Sequence, residues 1–204
     1  MPFPQNNIER RNYIIESISF EEREDKVRHL VGHAAVFDVE FDTGFFIERI
    51  ERGAFSKSIK KDDVRALWNH DSNYVLGRNK SKTLTMKEDE KGLLVDIIPP
   101  DTQWARDLQI SIDRGDVSQM SFGFEPLDTE WIRGEKNKPD TRILREVRLW
   151  DVSPVTFPAY VDTDIAVRSY DEWRKTIPPE VPPVPWKSRL YQRKLYLIGG
   201  LSNG

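Results

Sequence analysis

Gln119-Met120-Ser121-Phe122-Gly123-Phe124 alternates large apolar side chains with small ones. A period of two puts Met120, Phe122 and Phe124 on one face of a β-strand, and Ser121 and Gly123 on the other. The small face leaves a gap beside the backbone in which a substrate chain could lie. Working outward from Val117–Phe124, similar strand-like runs recur from about Asn12 to Arg168: Tyr13–Phe20, Val27–Phe37, Phe45–Ile50, Val64–Trp68, Thr83–Met86, Leu93–Ile98, Glu130–Arg133 and Ile143–Trp150. Gly, Pro and Asp/Asn punctuate them. Only two segments in this stretch read as helix. Gly53–Lys60 sets Phe55 and Ile59 four apart, and Asp101–Arg114 repeats Trp104, Leu108 and Ile112 between a candidate N-cap, Asp101, and a stop at Gly115. Many short strands and few helices predict a mainly β fold, a barrel or sandwich rather than a doubly wound α/β sheet.

The turns carry their own chemistry. Glu88-Asp89-Glu90-Lys91-Gly92 separates two strand-like runs and reads as a hairpin, with Gly92 free to take positive φ. Gly134–Asp140 reads as a longer solvated connection. Residues 1–168 are expected to form one domain and 169–204 a tail. In the tail, Ser169–Ile177 fits a short amphipathic helix, and five prolines within Pro178–Pro185 impose an extended conformation. The basic run Lys187–Lys194 precedes the apolar Leu195–Ile198. The plain reading of this tail is a linker with a frayed end, and the alternative is a targeting arm lost by self-cleavage.

Composition closes several routes. The 204 residues hold 31 Lys+Arg against 34 Asp+Glu, a formal charge of −3, which argues against a chain built to grip nucleic acid. The absence of cysteine excludes disulfide scaffolds, thiolate zinc sites and cysteine nucleophiles. No run is long and apolar enough for a membrane-spanning helix, and the first residues lack the apolar core of a signal peptide, so a cytoplasmic location is expected.

Three segments hold candidate chemistry. His29 and His33 stand four apart, but without accompanying carboxylate spacing they read as partly buried, hydrogen-bonded imidazoles, and no metal or other cofactor is expected. His70 follows Val64–Asn69, where a buried strand runs out into a loop, a place at which rigid scaffolds present catalytic groups. Ser121 sits on the small face of its strand. Glu146 falls inside the strand-forming stretch Leu144–Trp150, where a carboxylate needs a partner: Arg145, Arg148 or an imidazole.

Taken in order, the motifs resemble the prohead (capsid maturation) protease family of tailed phages. They are Gly32-His33-Ala34-Ala35-Val36-Phe37, Ile50-Glu51-Arg52-Gly53-Ala54-Phe55, Asn69-His70-Asp71 with Leu76-Gly77, Ser121-Phe122-Gly123-Phe124, and Leu149–Tyr160. The resemblance spans about Val31 to Arg168. It implies an assemblin-like β-barrel flanked by helices, active as a homodimer. It also implies a serine endopeptidase acting inside the immature capsid in the host cytoplasm. Its substrates would be scaffold or the scaffold-like arm of the major capsid protein, and itself. By family position Ser121 is the nucleophile and His70 the general base. The orienting group is a histidine in assemblins, yet no histidine follows Ser121 here. An acidic residue is expected instead: Glu146, with Asp151 in reserve and Asp71 less well directed. Oxyanion donors are expected from the backbone N–H groups of Val155 and Thr156, since Pro154 has none. The main rival reading is a catalytically inactive capsid-associated protein of the same fold, in which these side chains do not converge.

Overall fold

The computed structural model describes residues 8–12, 18–24, 27–135, 138–157 and 163–178. The chain divides into two compact units, Met1–Tyr170 and Asp171–Gly204. The first unit holds the strands β1 (Glu9–Arg11), β2 (Ile18–Glu22), β3 (Arg28–Val36), β4 (Phe41–Asp42), β5 (Ile47–Ile50), β6 (Arg65–Trp68), β7 (Asp71–Arg78), β8 (Leu84–Glu88), β9 (Gly92–Ile97), β10 (Gln119–Ile132) and β11 (Thr141–Val155). The helices are α1 (Ser56–Lys61), α2 (Gln103–Asp113) and α3 (Thr163–Thr176). The fold is therefore mainly β with few helices, as the alternation predicts. The proline run from Pro179 onward, the apolar end Leu195–Ile198 and residues 13–17 lie outside the described residues.

The strands form two sheets. One runs β1-β10-β11-β5-β4, with β6 also on β11 and β7 on β6; the other runs β2-β3-β9-β8. Among the described residues this pairing leaves both sheets open rather than closed into a single ring. One continuous core joins them: Leu30, Ala35 and Val36 of β3 and Val95 and Ile97 of β9 meet Phe122 and Phe124 of β10 and Leu144, Leu149 and Val152 of β11. Leu108 and Ile112 of α2 belong to the same core, and Trp104 packs against it.

The long β10–β11 hairpin organises the first sheet. Sequence patterning expects two separate short strands on the first arm, Val117–Phe124 and Glu130–Arg133, and one on the second, Ile143–Trp150; the structure has continuous strands of 14 and 15 residues. Bulges absorb the breaks in pattern. Gly123 pairs with Asp151 but Phe124 pairs with Leu149, so Trp150 is an extra residue on β11. β11 then takes β5 along Thr141–Leu144 and β6 at Asp151–Val152, both parallel.

Two local expectations need correction. The N-cap of α2 is Thr102, without a side-chain cap bond, while Asp101 pairs with Arg106. Gly92 does not take positive φ; a Cβ there would stand 1.9 Å from the Ala35 carbonyl oxygen, so the glycine serves close strand approach. The β8–β9 turn is instead held by Asp89, whose carboxylate accepts the N–H groups of Lys91 (2.8 Å) and Gly92 (2.9 Å) and faces His33 Nε2 at 2.9 Å. Partial burial pushes the Asp89 carboxyl up, but the Gly92 N–H, His33 and the Lys91 N–H outweigh it and hold the carboxyl at about 2. Its folded value is depressed, so its contribution is present above the ordinary value of 3.8 and lost as pH falls through about 2. Discounted for solvent screening, Asp89→Asn is expected to cost about 1 kcal/mol at pH 7 in denaturant titrations, converging with the parent near pH 2. A gap that persists unchanged in acid would assign the loss to geometry rather than charge.

Candidate active site

The site starts from a tight turn. β6 and β7 pair at Trp68 opposite Asp71, leaving Asn69-His70 as a two-residue loop. Both residues have positive φ, +54° and +58°. This left-handed pair is the signature of the hairpin turn whose twist matches its strands, and Asn tolerates it better than His does. Holding His70 there costs about 1–2 kcal/mol of backbone strain. Asn69 ties the turn to the end of β11: its N–H donates to the Pro154 carbonyl (3.0 Å), its Oδ1 accepts the Thr156 N–H (2.9 Å), and its Nδ2 donates to Thr156 Oγ1 (3.2 Å).

The imidazole thereby lies across the β10–β11 ladder. His70 Nε2 is 2.7 Å from Ser121 Oγ, and Nδ1 is 2.5 Å from Asp151 Oδ1. Ser121 pairs with Ser153 and Gly123 with Asp151, so all four residues share the face opposite the apolar core. Ser153 Oγ donates to Asp151 Oδ1 at 2.7 Å, which fixes the carboxylate. The gap expected beside Gly123 is filled. A Cβ there would stand 2.3 Å from Asp151 Oδ2, so the missing side chain makes room for the carboxylate rather than for a substrate. The imidazole and the carboxylate side chains are only 8% and 11% exposed, a dry setting in which these hydrogen bonds act strongly.

Of the residues singled out in the sequence, Ser121, His70 and Asp151 come together and Glu146 does not. Glu146 lies on β11 opposite Asp128, and its carboxylate accepts from Lys57 Nζ at 2.5 Å. It stands five residue steps from Asp151 along the strand, about 16 Å at roughly 3.3 Å per step, beyond reach of the imidazole. Asp71 accepts the Asn73 N–H at 2.8 Å. Val155 is in the ladder opposite Gln119, and the Thr156 N–H is held by Asn69. His29 and His33 each have a carboxylate of their own, Asp96 (2.6 Å) and Asp89. Sequence reasoning missed the parts played by Asn69 and Ser153. The adjacent polar pair Asn69-His70, at a place where a type I′ turn prefers Asn, was the available signal for the first.

Three groups in a row, with hydroxyl, imidazole and carboxylate each within hydrogen-bond reach of the next, can deprotonate an alcohol while it attacks a carbonyl. Comparison with curated proteins and with solved structures gives no match. The family model described as caudovirus prohead serine protease matches residues 16–176, the greater part of the chain, and the chain belongs to that family.

Proposed function

We propose that Ser121, His70 and Asp151 are the nucleophile, general base and orienting carboxylate of a serine endopeptidase that matures the phage capsid. Membership of the prohead protease family supports serine peptidase chemistry within the immature capsid, with capsid or scaffold proteins as substrates. The observation that carries the assignment is the continuous pair of contacts at His70, 2.7 Å to Ser121 Oγ and 2.5 Å to Asp151 Oδ1. It also weighs against the inactive structural reading, which expects no such convergence.

In this mechanism His70 Nε2 takes the hydroxyl proton as Ser121 Oγ attacks the scissile carbonyl carbon. The imidazolium donates through Nδ1 to Asp151, which keeps the ring in the tautomer that leaves Nε2 free to accept. His70 then returns the proton to the leaving amine, and water, activated the same way, releases the acyl group from Ser121. Ser153 holds Asp151 in line, and the absence of a side chain at Gly123 gives its carboxylate room there. The N–H groups of Val155 and Thr156 remain the proposed oxyanion donors, and that of Thr156 can serve only by leaving Asn69 Oδ1. The finer parts of the reading are an assemblin-like barrel completed in a homodimer, cleavage of the scaffold-like arm of the major capsid protein, and self-cleavage.

Co-expression with the major capsid protein, followed by intact mass spectrometry, tests this directly. Shortened capsid protein with the parent chain, and full-length capsid protein with Ser121→Ala, is the expected result. Identical shortening with both chains would remove Ser121 from the reaction.

A further inference from the structure

Ser121 is 0% exposed, so no substrate carbonyl can reach its hydroxyl in the arrangement described. His70 covers one side of Oγ. On another side the covering group is the chain's own β1: Ser121 Oγ donates to the Arg11 carbonyl oxygen at 3.0 Å. A hydroxyl carries one proton, and whenever it is donated to Arg11 it is not donated to His70 Nε2. β1 is antiparallel on the β10 edge, with Glu9 opposite Phe124, Arg10 opposite Gly123 and Arg11 opposite Phe122. Asn12 Nδ2 continues the contact to Gln119 Oε1 at 3.0 Å. Residues 9–12 thus fill the strip of β10 on both sides of the nucleophile. That is the lane an extended peptide takes when it adds to a sheet edge. They also precede the region matched by the family model.

The way β1 is held suits a segment that leaves. Its inward side chains, Glu9 and Arg11, are fully buried, and they are ions rather than apolar groups. Arg11 Nη2 pairs with Glu9 Oε2 at 2.5 Å, and both cross to Arg142 and Glu48. Lifting β1 out removes one positive and one negative charge together from the buried cluster. Behind it stays Arg142 Nε on Glu48 Oε2 at 2.8 Å, still balanced. The departing ions regain hydration, which offsets much of the attraction they give up. A strand anchored by leucines would recover nothing on entering water.

We propose that β1 is an autoinhibitory plug: residues 9–12 must leave the β10 edge before Ser121 can act. This rests on the serine-protease reading above, and the experiment separates the two. The full-length protein is exposed to a fluorophosphonate probe, which a competent serine displaces at phosphorus with loss of fluoride. Adduct formation is followed by intact mass, with hydrogen exchange of residues 8–12 measured alongside and Ser121→Ala as the blank. Two variants loosen β1 differently: Glu9→Gln with Arg11→Gln weakens the ionic anchor, and Arg10→Pro disturbs the strand geometry while keeping both anchoring side chains and the residue-10 carbonyl that accepts from Arg11 Nη1. Circular dichroism checks that both fold. A parent chain labelled no faster than residues 8–12 open, with labelling at least about tenfold faster in a variant that opens them, is the expected result. Labelling of the parent faster than β1 opens overturns the plug and leaves the protease reading intact. Free exchange of residues 8–12 with no adduct at Ser121 overturns the protease reading itself.

Discussion

Asp151→Asn is expected to lower peptide-bond hydrolysis by about 10⁴-fold, the scale seen for the orienting carboxylate of other serine proteases, while Glu146→Gln stays within about twofold of the parent. The asparagine keeps the size of Asp151, and with its nitrogen in the place of Oδ1 the Ser153 hydroxyl there accepts instead of donating. What changes is the partner offered to His70 Nδ1. An amide N–H turned toward Nδ1 favours the tautomer with the proton on Nε2, and that nitrogen then cannot accept the Ser121 proton. Glu146 has no such route to the imidazole, because its carboxylate is on Lys57. Rates on a capsid-derived peptide, measured in chains with an unperturbed β1, decide between the two acids. A loss confined to Glu146→Gln would transfer the orienting role back to it and require a different arrangement of β11.

The two acids also show how far the sequence could be read. Alternation puts Ser121 on the small face of its strand and a strand end puts His70 in an Asn-His turn, but neither local pattern marks a catalytic group alone; the ordered motifs of the family resemblance single the two out. The carboxylate needs information that alternation does not hold. Trp150 is an extra residue on β11, and it sets Asp151 opposite Gly123, on the same face as Ser121 and Ser153. Counting residues along an unbulged strand cannot supply that face, and it says nothing about the height of Glu146 relative to the imidazole. β7 was hidden because it opens on Asp71-Ser72-Asn73, a turn-like composition that pairing with β6 overrides. β1 was hidden more completely. Glu9-Arg10-Arg11 has no apolar side chain, and hydropathy reads its buried face as solvent-exposed. Only the matching pair Glu48 and Arg142, 37 and more residues away, makes that face an interior.

That interior supplies the second large expected effect. Glu48→Gln is expected to destabilise the fold by about 3–5 kcal/mol at pH 7, the usual cost of leaving a buried charge without its partner. Glu48 is fully buried and accepts from Arg11 Nε at 2.7 Å and Arg142 Nε at 2.8 Å, so the amide leaves two guanidinium groups facing Glu9 alone. Burial pushes the Glu48 carboxyl up, yet Arg11 and Arg142 outweigh it and hold the carboxyl below its ordinary value of 4.5. With the folded value depressed, the stabilising contribution is complete above about pH 4.5 and declines as pH falls toward the folded value. The parent therefore loses stability in acid over a range in which Glu48→Gln has no carboxyl at that position left to protonate, and the gap between them narrows. Urea titrations at several pH values check both the size and the slope. Pairing Glu48→Gln with Arg142→Gln removes one charge of each sign and is expected to recover more than half of the loss, because Glu9 and Arg11 still neutralise each other. A double variant as damaged as the sum of its two singles would mean that the four ions act independently. In that case lifting β1 from the sheet would not leave a balanced pair behind.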